Sequence, residues 1–304
     1  MKKLLLCITA VLSGVLNGAQ AEEMRSVEIE QHGITLLGRL VVADEAKLSD
    51  GVVMITHGTM AHMDMELIIN MQSLLAERGI NSLTHTLSMG ISRRTGAYDC
   101  SVPIRGTKHG DGADITAWFN WLKAKGASNI SLMGHSRGAV QSATVAADNA
   151  LDGLASVVML APSAGQSHTD YLANYNQRNK SDISILLAIA KEMISNDKGD
   201  QLMDVPGFMY CGATKMSADA LVSHFGADSS KLTKDIIASI DVPVLVVVGA
   251  NDKVVGDIAT TLAPVLNTDR VQFSLIEDAD HFFYDFAAED ATDIITEFLT
   301  TQRN

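Results

Sequence analysis

Five residues, Gly134-His135-Ser136-Arg137-Gly138, constrain this chain more than any others. The apolar run Ile130 to His135 stands before the serine and reads as a short strand. The small-residue stretch Arg137 to Asn149 follows and reads as a helix. A serine between two glycines at a strand-to-helix junction fits a sharp turn that pushes its Oγ out of the edge of a sheet. The glycines leave room where strand and helix cross closely. The helix then aims its N-terminal N–H groups, with the positive end of its dipole, at the turn. Gly-x-Ser-x-Gly by itself is a weak signal, and its context strengthens it.

The remaining elements repeat the strand–helix alternation. Val27 to Gln31 and Ile34 to Val42 read as two antiparallel strands joined at His32-Gly33. Continuous apolar or β-favouring runs at 51–56, 80–87, 155–160, 242–248 and 271–276 read as buried parallel strands. Helical periodicity covers 64–78, 110–126, 257–266 and 285–300. Strands alternating with helices of this length define an α/β fold: a mostly parallel sheet of about eight strands with helices on both faces. Between Gln166 and Asp241 the alternation stops. That stretch has no strong strand signal and three helical segments, 183–195, 219–225 and 232–240, mixed with Met203, Phe208, Met209, Tyr210 and Met216. It is expected to be a helical cap inserted after the sixth strand, over a core formed by 22–165 and 242–304.

Residues 1–21 carry Lys2 and Lys3, an apolar run from Leu4 to Leu16 and Ala19-Gln20-Ala21. This is the layout of a secretory signal, and it predicts a periplasmic or secreted protein cleaved near Ala21. The net charge of −13 argues against nucleic acid or an anionic membrane as partner. An exported chain permits a disulfide between Cys100 and Cys211; two buried thiols are the alternative.

A serine hydroxyl becomes nucleophilic when a base takes its proton and a third group orients that base. Candidates stand in the order Ser136, Asp252, His281, each just after an expected strand and so at the carboxyl edge of the sheet. Asp278 and Asp280 are rivals for the acid, although Asp280 adjoins His281 and is poorly placed to reach its ring. His135 is expected to point away into the core. His62, His85, His109, His168 and His224 have no metal-ligand spacing, so neither metal nor cofactor is expected.

His57-Gly58 after the third strand, Gly134 to Gly138, Gly249-Ala250-Asn251-Asp252 and Asp280-His281-Phe282 together resemble the α/β-hydrolase fold family over the whole chain outside the signal and the cap. The resemblance implies that Ser136 attacks an acyl carbon, that His281 is base and then acid, and that Asp252 orients His281. It implies an oxyanion site made by the N–H groups of Thr59 and Arg137, with His57 bracing that loop. A small-molecule carboxylic ester is the expected substrate. Peptide, thioester and lactone substrates share the chemistry, and a binding protein that kept the fold is the non-catalytic alternative. One stretch departs from the family. Where many relatives carry an Asp-x-Arg-Gly-His-Gly-like turn, this chain has Ser88-Met89-Gly90-Ile91-Ser92-Arg93-Arg94. Arg93, Arg94 or Arg137 is a candidate to hold a substrate carboxylate; a solvated or acid-paired arginine is the alternative.

Overall fold

The computed structural model describes residues 23–302 except Asn267. The expected secretory signal at 1–21 lies outside the described residues. Eight strands form one sheet: β1 (Glu23–Gln31), β2 (Ile34–Val42), β3 (Val52–Thr56), β4 (Asn81–Thr86), β5 (Ile130–His135), β6 (Leu154–Leu160), β9 (Val244–Gly249) and β10 (Val271–Ile276). Their order across the sheet is β1-β2-β4-β3-β5-β6-β9-β10. β1 pairs antiparallel with β2, and β2 with β4; the other neighbours are parallel.

The central strands are buried from end to end because both faces are covered. Alternate side chains go to opposite faces. Val53, Ile55, Met133, Val158 and Val247 meet Leu67, Ile68, Met71 and Leu75 of α1 (Glu66–Glu77), together with Ile295 and Phe298 of α9 (Phe286–Thr301). On the other face, Met54 and Leu132 meet Ile115, Trp118 and Phe119 of α2 (Lys108–Ala124), while Met159 and Val246 meet Ala139 and Ala143 of α3 (Arg137–Asp148). α2 starts two residues earlier than its periodicity suggested. Thr107 caps it, its Oγ1 accepting the Gly110 N–H at 2.9 Å, so Lys108 becomes the first helical residue. α8 (Ile258–Leu262) ends earlier than expected, because Pro264 turns the chain into a 3-10 turn over 263–265.

The stretch 166–241 differs from the expected all-helical layer. α4 (His168–Asn179), α5 (Ile183–Ser195), α6 (Ala218–Phe225) and α7 (Thr233–Ala238) are joined by a hairpin of β7 (Leu202–Val205) and β8 (Thr214–Ser217). Four residues are too few for an alternating pattern to stand out in sequence. The hairpin is completed by a distant segment: Ile104 N–H donates to Lys215 O at 2.8 Å, and Ser217 N–H to Ile104 O at 3.0 Å. A disulfide joins Cys100 to Cys211 across a sequence separation of 111, tying that same segment to the hairpin's turn. α4 is polar, with Tyr171, Leu172 and Tyr175 as its apolar contacts, which hides it from periodicity. Its start is a Ser-x-x-Asp cap, Ser167 Oγ accepting the Asp170 N–H at 3.1 Å. α7 packs Ile236 and Ile237 on Ala139 and Val246, so it belongs to the layer covering the sheet. Among the described residues no helix is long and apolar enough to cross a membrane.

Candidate active site

Ser136 sits between β5 and α3 with φ 55° and ψ −123°. This left-handed backbone costs a non-glycine residue on the order of 1–3 kcal/mol. Its surroundings hold it there. A Cβ on Gly138 would lie 2.2 Å from His57 O and 2.5 Å from Thr56 O, and one on Gly134 would lie 2.3 Å from the Gly138 carbonyl. Strand, helix and the loop after β3 therefore meet backbone to backbone. Gly138→Ala is expected to cost about 3 kcal/mol or more, because the clash is with main-chain atoms that cannot swing away. Thermal unfolding of the variant checks this, and an unchanged melting temperature would contradict it.

His281 is carried by the loop after β10. Its Nδ1 lies 2.7 Å from Asp252 Oδ2 and its Nε2 lies 3.0 Å from Ser136 Oγ. A carboxylate only accepts, so Nδ1 carries the proton, Nε2 is the acceptor, and the Ser136 hydroxyl donates to it. Asp252, on the loop after β9, is locked by its other oxygen: Oδ1 accepts the N–H groups of Val254 at 2.7 Å and Val255 at 3.1 Å. The His281 and Asp252 side chains are only 6% and 2% exposed, so their bond works away from water. Asp280 turns the other way, its Oδ1 accepting the Phe282 N–H at 2.8 Å, and Asp278 is exposed.

Thr59, Ser136 and Arg137 line one cavity of about 740 Å³. Among the described residues the backbone N–H groups of Thr59 and Arg137 find no acceptor within the protein. The loop bearing Thr59 is braced from beneath. His57 is buried; its Nδ1–H donates to Gly58 O at 2.8 Å, and its Nε2 accepts the Leu87 N–H at 3.0 Å. Burial first, and Arg94 second, hold its pKa well below the usual imidazole range, so the ring is neutral. Arg94 donates to the carbonyls of Leu87 at 2.7 Å, Ala61 at 2.7 Å and Gly96 at 2.9 Å, and its guanidinium reaches His57 Nε2 at 3.2 Å. It is thus neither solvated nor acid-paired; it is a buried strut. Arg93 is acid-paired, with two bonds to Glu28 at 2.5 and 2.6 Å.

Two placements were not read from sequence. His135 does not point away from the site. It packs on the His281 imidazole with ring centroids 4.8 Å apart, and its Nε2 donates to His281 O at 2.8 Å. Burial pushes its pKa down to about 4, which keeps a second positive charge from His281. Its position next to Ser136 is the one available signal. Lys108 is the other, since it lines the same cavity as Ser136. Its signal was Thr107, a capping residue that starts α2 earlier than the apolar period does.

No family model and no curated protein sequence matches the chain. Solved structures do match it. Est1E from Butyrivibrio proteoclasticus superposes with a TM-score of 0.61 at 17% identity, covering 91% of this chain and 98% of that one. The esterase domain of a Rhodothermus marinus protein gives 0.60 at 14% identity, covering 92% and 98%. An alpha-beta serine hydrolase homologue from Coxiella burnetii gives 0.52 at 17% identity, covering 91% and 96%. The chain has the α/β-hydrolase fold.

Proposed function

We propose that this protein is a serine hydrolase that cleaves carboxylic esters through an acyl-enzyme. The observation that carries the reading is the hydrogen-bond chain Ser136 Oγ to His281 Nε2, and His281 Nδ1 to Asp252 Oδ2. As Oγ attacks the acyl carbon, its proton passes to Nε2, and the charge formed on the ring faces the fixed Asp252 carboxylate. The developing oxyanion takes the N–H groups of Thr59 and Arg137, each donor lowering the barrier by roughly 3–4 kcal/mol. The alcohol leaves with the proton from Nε2. Water then repeats the sequence and frees the acid. The Rhodothermus domain is named as an esterase, which supports ester over other acyl substrates.

In this reading the stretch 166–241 is a cap. Tyr171, Tyr175, Met209 and Phe225 contribute its apolar part of the cavity wall. The protein is exported, a reading supported by the layout of residues 1–21 and by the Cys100–Cys211 bridge, since such bonds persist in oxidising compartments. The test is direct. A fluorophosphonate is expected to label Ser136 in the folded protein, and short and long p-nitrophenyl esters are expected to turn over. A folded protein that neither takes the label nor hydrolyses any ester of the series would overturn the reading.

A further inference from the structure

The chain carries 36 acidic residues against 23 basic ones, yet the wall of the cavity above Ser136 is weighted the other way. Its charged lining is Lys108, Arg137, Arg178 and Lys231 against Asp148 and Asp228. Lys231 is held by Asp148 at 3.2 Å, and Arg178 and Asp228 are exposed. Lys108 and Arg137 remain. They start α2 and α3, and both are partly buried. Among the described residues neither the Lys108 ammonium nor the Arg137 guanidinium makes a hydrogen bond or an ion pair.

Two like charges so placed repel. Desolvation first, and the charge of Arg137 second, push Lys108 down to about 8. The acid that acts on both is Asp111, one turn along α2. It is a weak counter-charge: burial raises its carboxyl to about 7, and its Oδ2 is already taken by Gln141 Nε2 at 2.8 Å. Partly buried cations without partners are costly, and a bound anion relieves that cost. The ammonium offers a point charge and the guanidinium a planar fork that matches a carboxylate.

We propose that Lys108 and Arg137 receive a carboxylate on the substrate, so that the preferred substrate is an anionic ester. This rests on the ester-hydrolase reading of Ser136. It separates the three arginines that sequence left equivalent: Arg93 is taken by Glu28, Arg94 by main-chain carbonyls, and Arg137 is free at the cavity.

Two matched ester pairs test it. The p-nitrophenyl monoester of glutaric acid and its terminal amide place charge or no charge on the acyl half. The butyrate esters of p-hydroxybenzoic acid and of its amide do the same on the alcohol half. Uncatalysed hydrolysis is subtracted from each. In one pair or the other the anionic ester is expected to have a kcat/KM about tenfold or more above its neutral match, the scale of charge-assisted hydrogen bonds. Lys108→Met and Arg137→Gln are each expected to pull that ratio towards one. A ratio taken within each variant is insensitive to a general loss of active protein, and two variants guard against one misfolding. Enzyme that takes the fluorophosphonate label but favours the neutral ester in both pairs, or whose ratio neither substitution moves, overturns this proposal and leaves the hydrolase standing. Folded enzyme that takes no label overturns both.

Discussion

Ser136→Ala is expected to lower kcat for ester hydrolysis by about five to six powers of ten, with the fold intact. The expectation follows from geometry. The Oγ at the end of the hydrogen-bond chain is the only atom this variant removes, and the turn that holds residue 136 is set by its neighbours. His281→Ala is expected to cost about as much, and the double variant no more than either alone, because the two side chains act as one unit. Asp252→Asn is expected to lose about 10⁴-fold. An amide at 252 can donate to Nδ1, which then favours the tautomer whose Nε2 carries the proton and cannot accept from Ser136. Steady-state rates on a p-nitrophenyl ester check all four proteins. Losses that simply multiplied in the double variant would contradict a concerted site.

The second large effect is on stability in mild acid. His57, His85, His135 and His224 are buried and held neutral, chiefly by desolvation. His135 is pushed down to about 4, and His85 and His224 to about 3. Their ordinary value is 6.5, so an unfolded chain takes up these protons first. The stability they contribute is fully present above pH 6.5 and is lost as pH falls toward 4 and below, at about 1.4 kcal/mol per pH unit for each ring. Asp111 opposes them, because its raised carboxyl binds a proton in the folded state up to about pH 7, and raised Asp114 acts in the same direction. The net loss between pH 6.5 and 4.5 is therefore expected to be about 3 kcal/mol per unit, enough to exhaust the stability of an ordinary domain. Urea unfolding midpoints at half-unit intervals of pH measure it. A flat profile across that window would show that these rings titrate normally.

Much of this was readable before the fold was known, and the failures have a common cause. The mostly parallel sheet with helices on both faces follows from apolar runs alternating with helical periods, because parallel strands need helical crossovers. The boundaries that slipped, at α2 and α8, depend on a single capping threonine and a single proline. The missed α4 is held by a polar cap and two tyrosines, and the missed hairpin by a strand-like contact from Ile104, more than a hundred residues away. None of these leaves a periodic trace. At the site, the sequence favours Asp252 over Asp280 because a side chain is poorly placed to reach its immediate neighbour's ring, and in the structure Asp280 accepts the Phe282 N–H instead. The place of His135 beside His281 is not legible in sequence because alternation along β5 says which face of the sheet a side chain takes, but not what the loop after β10 brings to that face.

By itself the amino-acid order determined the strained serine turn, the alternation that builds a two-sided sheet and the three residues that end its strands. Those are local properties, set by backbone sterics and the period of apolar side chains. Only the tertiary structure decided what the charged and polar groups do. Arg93, Arg94 and Arg137 are chemically identical, and one became a surface ion pair, one a buried strut and one an open cation on the cavity that Ser136 lines. Electrostatic roles depend on which partner folds within about 4 Å and how much water is left there, and distance along the chain encodes neither.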